Sequence, residues 1–379
     1  MGKKEQIGRY GENPHQKAFL EKDENHIGPS VFNTPLHGVP MGFNNYRDAN
    51  STLEIIIDNA DKNFVAVIKH MNSCGAATGK TLKDAFIYAW RGDEISAFGS
   101  VIGYSQTVNL VTIKALSGKF VEVIIAPKFS DEAINWIKNS PKKNLRVVPT
   151  GPLENVSDFE ESLTIRGGTL SQTQNNKLYL CENISDLLNS PQKLTEQNSG
   201  LEYNVGTVTK QQFGEQMLGL IDFSIKVGKH VKSNSVDIFY EYENGHYMML
   251  GMGTGQPNRL DSAKKLAATK AQENLMRVYF REHDLDYAMT MDKMIHDSQY
   301  RNMLIENVNS FSKEILYSNK IIAFSDAFFP KPDGVEALAE IGVKYIVCPG
   351  GSKADEQVIK KADELGMGMI FTGIRHFRH

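Results

Sequence analysis

The sequence predicts an α/β architecture of two related halves, and three features carry that expectation. Short β-branched runs alternate with longer amphipathic stretches over most of the chain, the pattern of strand–helix–strand units. A length of 379 residues fits two domains better than one. The polar, turn-rich stretch SDLLNSPQKLTEQNSGLEYN at 185–204 is the natural connection between halves. The expected domains are therefore 1–195 and 196–379.

In the first half FVAVIKH (64–70) reads as a strand, Thr81 to Trp90 as a helix, and SVIGY (100–104) and FVEVIIAP (120–127) as further strands. In the second half VDIFYEYE (236–243) and GHYMMLGMG (245–253) form a hairpin around Glu243, Asn244 and Gly245, so mixed sheets are expected. A parallel pattern follows: IIAFSD (321–326), a helix near Gly334–Ile341, VKYIVCPGG (343–351), a helix near Ala354–Leu365, and MGMIFTG (367–373). IKHMNSCG (68–75) and VKSNSVD (231–237) each set a Lys shortly before Asn-Ser beside a strand, a faint echo of duplication.

Charged residues are 23% and the hydrophobic set 41%, enough apolar content for a sizeable core and too much for a disordered chain. The net charge of −3 arises from 42 basic and 45 acidic residues in mixed order. No global field therefore attracts nucleic acid or an anionic membrane, and any phosphate must be held by local groups. Cys74, Cys181 and Cys348 are widely spaced with no CxxC, so neither a disulfide framework nor a zinc site is readable, and a reducing, cytoplasmic setting is expected. The N-terminus lacks the apolar run of a signal peptide, and nothing approaches the roughly 20 apolar residues of a membrane span.

Lys69 and His70 sit where an apolar strand ends, the edge at which open α/β sheets bind ligands. A neutral His can take a proton and an adjacent ammonium can stabilise developing negative charge; the same pair can equally cap the turn. GTGQPNR (253–259) and PGGSKAD (349–355) are glycine loops before helices, whose N–H groups can receive an anion. Neither has Walker or GxGxxG spacing, so ATP and dinucleotides are not indicated. Cys74, four residues after His70, is a poor nucleophile candidate because nothing orients the His. His376 and His379 have helical metal-ligand spacing but no carboxylate nearby. Phe328, Phe329 and Pro330 make a stiff apolar segment suited to a flat ring or to loop packing. Arg9, Tyr10 and His15 in RYGENPHQ (9–16) lie too close to the N-terminus to be ordered locally, so a partner or ligand is expected to hold them.

The segments RYGENPHQ, VIKHMNSCG, ISAFGSVI (95–102), FVEVIIAP, RGGTLSQ (166–172), VKSNSV, GMGTGQPNRLDS (251–262), SDAFFPKPDGVE, PGGSKADE and FTGIRHFRH (371–379), in that order, resemble the formyltransferase part of the AICAR transformylase/IMP cyclohydrolase family. The resemblance covers the chain end to end. It implies two duplicated cytidine-deaminase-like three-layer α/β/α domains with mixed sheets, in an intertwined homodimer with sites at the subunit interface. It also implies transfer of the formyl group of 10-formyltetrahydrofolate to the 5-amino group of AICAR, with no metal or redox cofactor. By the same resemblance His70 is the proton acceptor and Lys69 stabilises the transition state. Arg9, Tyr10 and Arg375 face the ribonucleotide, and Gly99, Glu122, Asn234, Arg259 and Phe328 surround the aminoimidazole nucleotide. Leu260, Asp333, Ser352 and Lys353 fall at folate-contacting positions.

Three features depart from the family pattern. The chain begins at the transformylase motif, so a stand-alone transformylase with a separate IMP cyclohydrolase is expected. The segment about 271–320 resembles a helical insertion of some members. Lys331-Pro332 stands where an aromatic is common, and Ser100 replaces a common Gly. A deaminase-like hydrolase is disfavoured because the His/Cys zinc set and PCxxC signature are missing from the sequence. An AICAR or folate sensor without turnover is the remaining alternative, and the retention of both Lys69 and His70 speaks for an enzyme.

Overall fold

Residues 4–154, 156 and 158–379 are described by the computed structural model, without the side chain of Arg9. The chain divides into two units, the first reaching to Trp90 and resuming over Glu94–Lys177, the second made of Arg91–Asp93 and Leu178–His379.

In the first unit an antiparallel ribbon, β1 (Lys4–Tyr10) and β2 (Lys17–Glu21), precedes helix α1 (Phe43–Ile57). Then come β3 (Phe64–Lys69), β4 (Asn72–Thr78), α2 (Leu82–Arg91), β5 (Ser100–Tyr104), α3 (Leu110–Lys114), β6 (Val121–Ala126), α4 (Asp131–Lys138) and β7 (Arg146–Pro149). The strands lie in the order β4-β3-β5-β6-β7, with β3 antiparallel to β4 and β5, and β5, β6 and β7 mutually parallel. Phe64 to Ile68 are buried along their whole length, which is why this run is continuously apolar instead of alternating. Asn109 and Ser130 start α3 and α4 by accepting the N–H of Thr112 and Ala133. An exposed ribbon, β8 (Glu160–Ile165) with β9 (Gly168–Thr173), ends the unit.

Strand β4 is absent from the sequence reading, in which a turn follows the strand end at Lys69 and His70. Its residues Asn-Ser-Cys-Gly-Ala-Ala-Thr have low strand propensity, and pairing with β3 overrides it. The parallel crossover therefore runs from β4 through α2 to β5, with β3 lying between those two strands.

The second unit opens with a 3-10 turn at Ile184–Leu188 and the hairpin β10 (Gln192–Thr195) and β11 (Glu202–Thr207). The stretch 185–204, where the sequence suggested a connection, is thus part of this unit. Thr207 Oγ1 bonds the carbonyl of Leu187, and Leu180 N bonds that of Thr372. Helix α5 (Leu218–Gly228) leads to the hairpin β12 (Val236–Glu243) and β13 (His246–Gly253), as the turn residues predict. A short helix α6 (Arg259–Asp261) widens through a π-helical stretch at Ser262–Ala267 into α7 (Ala268–Glu282), followed by α8 (Tyr287–His296) and α9 (Ser298–Leu316). The expected insertion is therefore helical, with a small core of its own around Tyr279, Phe280, Leu304 and Val308. The chain finishes with β14 (Ile321–Ser325), α10 (Asp333–Glu340), β15 (Tyr345–Cys348), α11 (Asp355–Glu364) and β16 (Gly368–Phe371). Within this unit the strand order is β10-β11-β16-β15-β14-β12-β13.

The two units repeat one plan: a helix, a hairpin, a helical connection, then three parallel strands joined by two helices, the hairpin's first strand lying antiparallel to the first of the three. The helices α7 to α9 occupy the place that α2 alone holds in the first unit.

Gly103 in β5 admits α1 at close range: a Cβ there would stand 2.4 Å from Thr52 Cγ2 and 2.9 Å from Ile56 Cγ2. Both are β-branched and stiff in a helix. Gly103→Ala is expected to destabilise the protein by about 1–3 kcal/mol through overpacking, read as a lower urea midpoint at unchanged slope.

Candidate functional site

In the first unit the site is built on the tip of the β3–β4 hairpin. Lys69 and Asn72 are the last paired residues, leaving His70 and Met71 as a two-residue turn with φ of 52° and 63°. Such turns suit Asn-Gly; a residue with a Cβ held in the left-handed region costs roughly 1–2 kcal/mol. Asp48 of α1 supports the turn, its Oδ1 accepting the N–H of Met71 at 2.8 Å. Burial pushes the Asp48 carboxyl above its usual range, against the pull of the Met71 and His70 N–H groups, His70 and Arg47.

Lys69 Nζ donates to the carbonyl oxygen of Phe98. The exposed rings of Phe98 and Phe120 pack at 4.9 Å between centroids. Gly99 has φ 72°, which strains a residue with a Cβ, although a Cβ there would only touch the Phe120 ring at 3.4 Å and Lys69 Nζ at 3.8 Å. Glu122 at the start of β6 accepts from Asn45 Nδ2 at 2.8 Å and lies 3.7 Å from the buried Arg146 guanidinium. It borders a groove of ≈ 980 Å³ also lined by Phe120, Lys119 and Lys142. Burial, then the nearby Lys119, lowers the Lys142 pKa.

The edge that forms this cluster is not the one the sequence argument invoked. Lys69 ends a strand antiparallel to β5, so it meets the amino ends of β5 and β6, not their carboxyl ends. The signal missed in the sequence is the start of α1. Asn44 and Arg47 bond Glu12 of RYGENPHQ, Asn45 bonds Glu122, and Asp48 bonds the hairpin tip. Tyr10 is exposed, and the side chain of Arg9 lies outside the described residues. His15 is exposed as well. Cys74 is buried within β4 whereas His70 is exposed, an arrangement unlike a nucleophile–base pair.

In the second unit the predicted residues gather at the carboxyl edge of β14, β15 and β16, the expected crevice position. Arg259 is its buried hub. Its Nη2 lies 2.7 Å from Asp326 Oδ1 and 3.0 Å from Asn234 Oδ1, and its Nη1 donates to the Phe328 carbonyl at 3.1 Å. Asn234 Nδ2 donates to the carbonyls of Gln256 and Pro257 at 3.0 and 3.2 Å, fixing the glycine loop before α6. Asp326, which the sequence reading passed over, also accepts from Ser235 N at 3.1 Å and from Ser233 Oγ. Asp237 is wholly buried beside it; burial, then the Asp326 charge, holds its carboxyl well above the usual range.

The folate-directed residues lie on neighbouring loops. Asp333 begins α10 and accepts the Gly334 N–H, and Ser352 Oγ accepts the Ala354 N–H at the entry to α11. Gly350 and Gly351 there have φ of 67° and 94°. Leu260 follows Arg259 in α6. Lys353 and Arg375 stand exposed outside the buried network, the Arg375 guanidinium 4.5 Å above the Phe377 ring. The closing RHFRH is extended, not helical: buried His376 bonds the Asp326 carbonyl through its N–H, and Arg378 N bonds Ser233 Oγ. Among the described residues no group of three or more His, Cys, Asp or Glu is placed to hold a metal, and no helix is long and apolar enough to cross a membrane.

Two predictions follow from the buried charges. Asp237 has a raised folded pKa, so the native state binds the extra proton and stability falls as pH rises from the unfolded value toward the folded one. Asp237→Asn is therefore expected to match the parent at acid pH, below the ordinary carboxylate range, and to gain on it progressively as pH rises above that range in denaturation midpoints. Arg259→Leu strands the Asp326 carboxylate and is expected to cost about 3–5 kcal/mol, most of it recovered in the Arg259→Leu/Asp326→Leu double variant.

A family model described as AICARFT/IMPCHase bienzyme matches residues 1–270. The "Bifunctional purine biosynthesis protein PurH" of Lactobacillus acidophilus is 34% identical over 373 residues, 98% of this chain and 59% of its own length. The proteins of that name from Bacillus subtilis and Aquifex aeolicus are each 34% identical, over 99% and 98% of this chain and 59% of their own lengths. The chain thus spans about three-fifths of these relatives. A family model covering more than half of the chain, with relatives of this identity along nearly all of it, shows that the chain belongs to the AICARFT/IMPCHase bienzyme family.

Proposed function

We propose that this chain is an enzyme of purine biosynthesis that transfers the formyl group of 10-formyltetrahydrofolate to the 5-amino group of AICAR. The observation that carries this reading is the pair Lys69 and His70 at a strained, exposed hairpin tip beside Gly99 and the Phe98–Phe120 rings. The AICAR amine is a weak nucleophile because its lone pair is delocalised into the ring and carboxamide. In the proposed step its nitrogen bonds the formyl carbon while His70 takes the amine proton. The Lys69 ammonium stabilises the oxyanion, and as the bond to the folate N10 breaks the ammonium donates a proton to that nitrogen. Gly99 supplies the positive φ of 72° that the backbone beside Lys69 adopts. Arg9, Tyr10 and Arg375 hold the ribonucleotide in this reading, with Arg259 and Asn234 shaping the pocket for its base. Asp333, Ser352 and Lys353 take the folate. The working assembly is a homodimer: the isolated β8–β9 ribbon exposes Leu163, Ile165 and Leu170, and a lone two-stranded ribbon needs a covering surface.

The test is purified protein with AICAR and 10-formyltetrahydrofolate, following tetrahydrofolate and identifying the nucleotide by mass. Formyl-AICAR is expected, whether or not IMP follows; tight AICAR binding without folate-dependent product would replace the enzyme by a sensor. His70→Ala is expected to lower kcat by about 10²–10⁴-fold with nucleotide affinity within about tenfold. Arg375→Ala is expected chiefly to raise KM for AICAR, by roughly tenfold or more.

A further inference from the structure

We infer that Asp48 is a positioning residue for His70, holding the hairpin tip in the left-handed geometry from which that ring is presented. The inference rests on the reading of His70 as the proton acceptor. His70 and Met71 both have φ in the left-handed region; His visits it more often than most residues with a side chain, whereas Met does not favour it. The two-residue hairpin demands this conformation, and a contact from outside the turn helps Met71 to hold it. Asp48 reaches it from α1, with Oδ1 2.8 Å from Met71 N and the His70 N–H also acting on the carboxylate. The carboxylate thus holds the Met71 N–H of the turn directly.

The support is rigid. Asp48 lies on a helix whose Ala49, Leu53, Ile55 and Ile56 are buried and which packs on β3 and β5. The charged groups that act on Asp48 are His70 and Arg47, and Arg47 is itself paired with Glu12. Asp48 touches no reacting atom in this scheme: it acts through the backbone of the turn, so its loss lowers the rate at saturating substrate more than it weakens binding.

Three variants test this: Asp48→Ala, Asp48→Asn, and Asp48→Ala combined with Met71→Gly. Asp48→Ala is expected to lower kcat by about 10–100-fold with KM within about threefold. Asp48→Asn keeps an accepting oxygen and is expected to fall no more than about threefold. Glycine at 71 adopts a positive φ without strain, so the double variant is expected to regain at least about tenfold over Asp48→Ala. A Cα chemical-shift change at His70 in Asp48→Ala, reversed in the double variant, reports the turn without reference to turnover. Unchanged kcat in Asp48→Ala, a KM effect equal to the kcat effect, or a loss that Met71→Gly does not restore would each overturn the inference. If His70→Ala keeps full turnover, the functional reading fails while the chemical shifts still judge the Asp48 geometry. A silent Asp48→Ala beside an inactive His70→Ala sinks only the Asp48 role.

Discussion

The second unit turns on one buried carboxylate. Asp326 is fully buried at the end of β14, where an ionised group without partners would carry a desolvation penalty of several kcal/mol. The structure meets that cost by bringing distant segments to it: Arg259 from the start of α6, and Ser233 and Ser235 from the approach to β12. The main-chain oxygen of the same residue receives the N–H of His376 from the end of the chain. Each segment carries predicted site residues or adjoins them, so the arrangement of Asn234, Arg259 and Phe328 is a consequence of satisfying Asp326. Asp237 marks how crowded this corner is, since the nearby Asp326 charge adds to the burial that raises its carboxyl above the usual range.

The two units share a plan but use opposite edges. In the second, the candidate residues cluster at the carboxyl ends of the parallel strands. In the first, the same edge is closed by its own chain. Asn33 Nδ2 bonds the carbonyls of Pro149 and Thr150 at 3.0 Å, and Ser30 N bonds Thr150 O at 2.9 Å. Gln106 and Ser105 side chains bond the carbonyls of Ala60 and Lys62 at 2.6 Å. Polar groups at this edge of the first unit are consumed by its own loops, so its candidate residues lie at the opposite edge, on the hairpin tip.

The strands with continuous apolar runs and the β12–β13 hairpin are legible in the sequence because burial and turn chemistry are local signals. Strand β4 is not, because its small residues carry no strand preference and only pairing with β3 makes them extended. Lys69, His70, Asn234 and Arg259 are legible as motif residues. Asp48, Asn45 and Asp326 are not, since their roles arise from contacts with segments 23, 77 and up to 93 positions away. A buried Asp following an apolar strand, as in IIAFSD, is the nearest thing to a local cue, because carboxylates are rarely buried without partners. The run GFNNYRD at the start of α1 offers none.

Charge accounting separates the roles of the arginines. The chain has no net positive field, so an anionic ligand depends on cations whose charge is not already answered. Arg259 is nearly fully buried and paired with Asp326 at 2.7 Å; its charge is largely cancelled, and what it offers is direction, through bonds to Asn234 and the Phe328 carbonyl. Arg146 is likewise buried, 3.7 Å from Glu122. Arg375, by contrast, is exposed on the short closing segment, with its guanidinium over the face of Phe377. A guanidinium in that setting keeps its bidentate fork available to a phosphate. The buried arginines therefore each organise the polar groups of their own unit, whereas the exposed one has a guanidinium open to solvent.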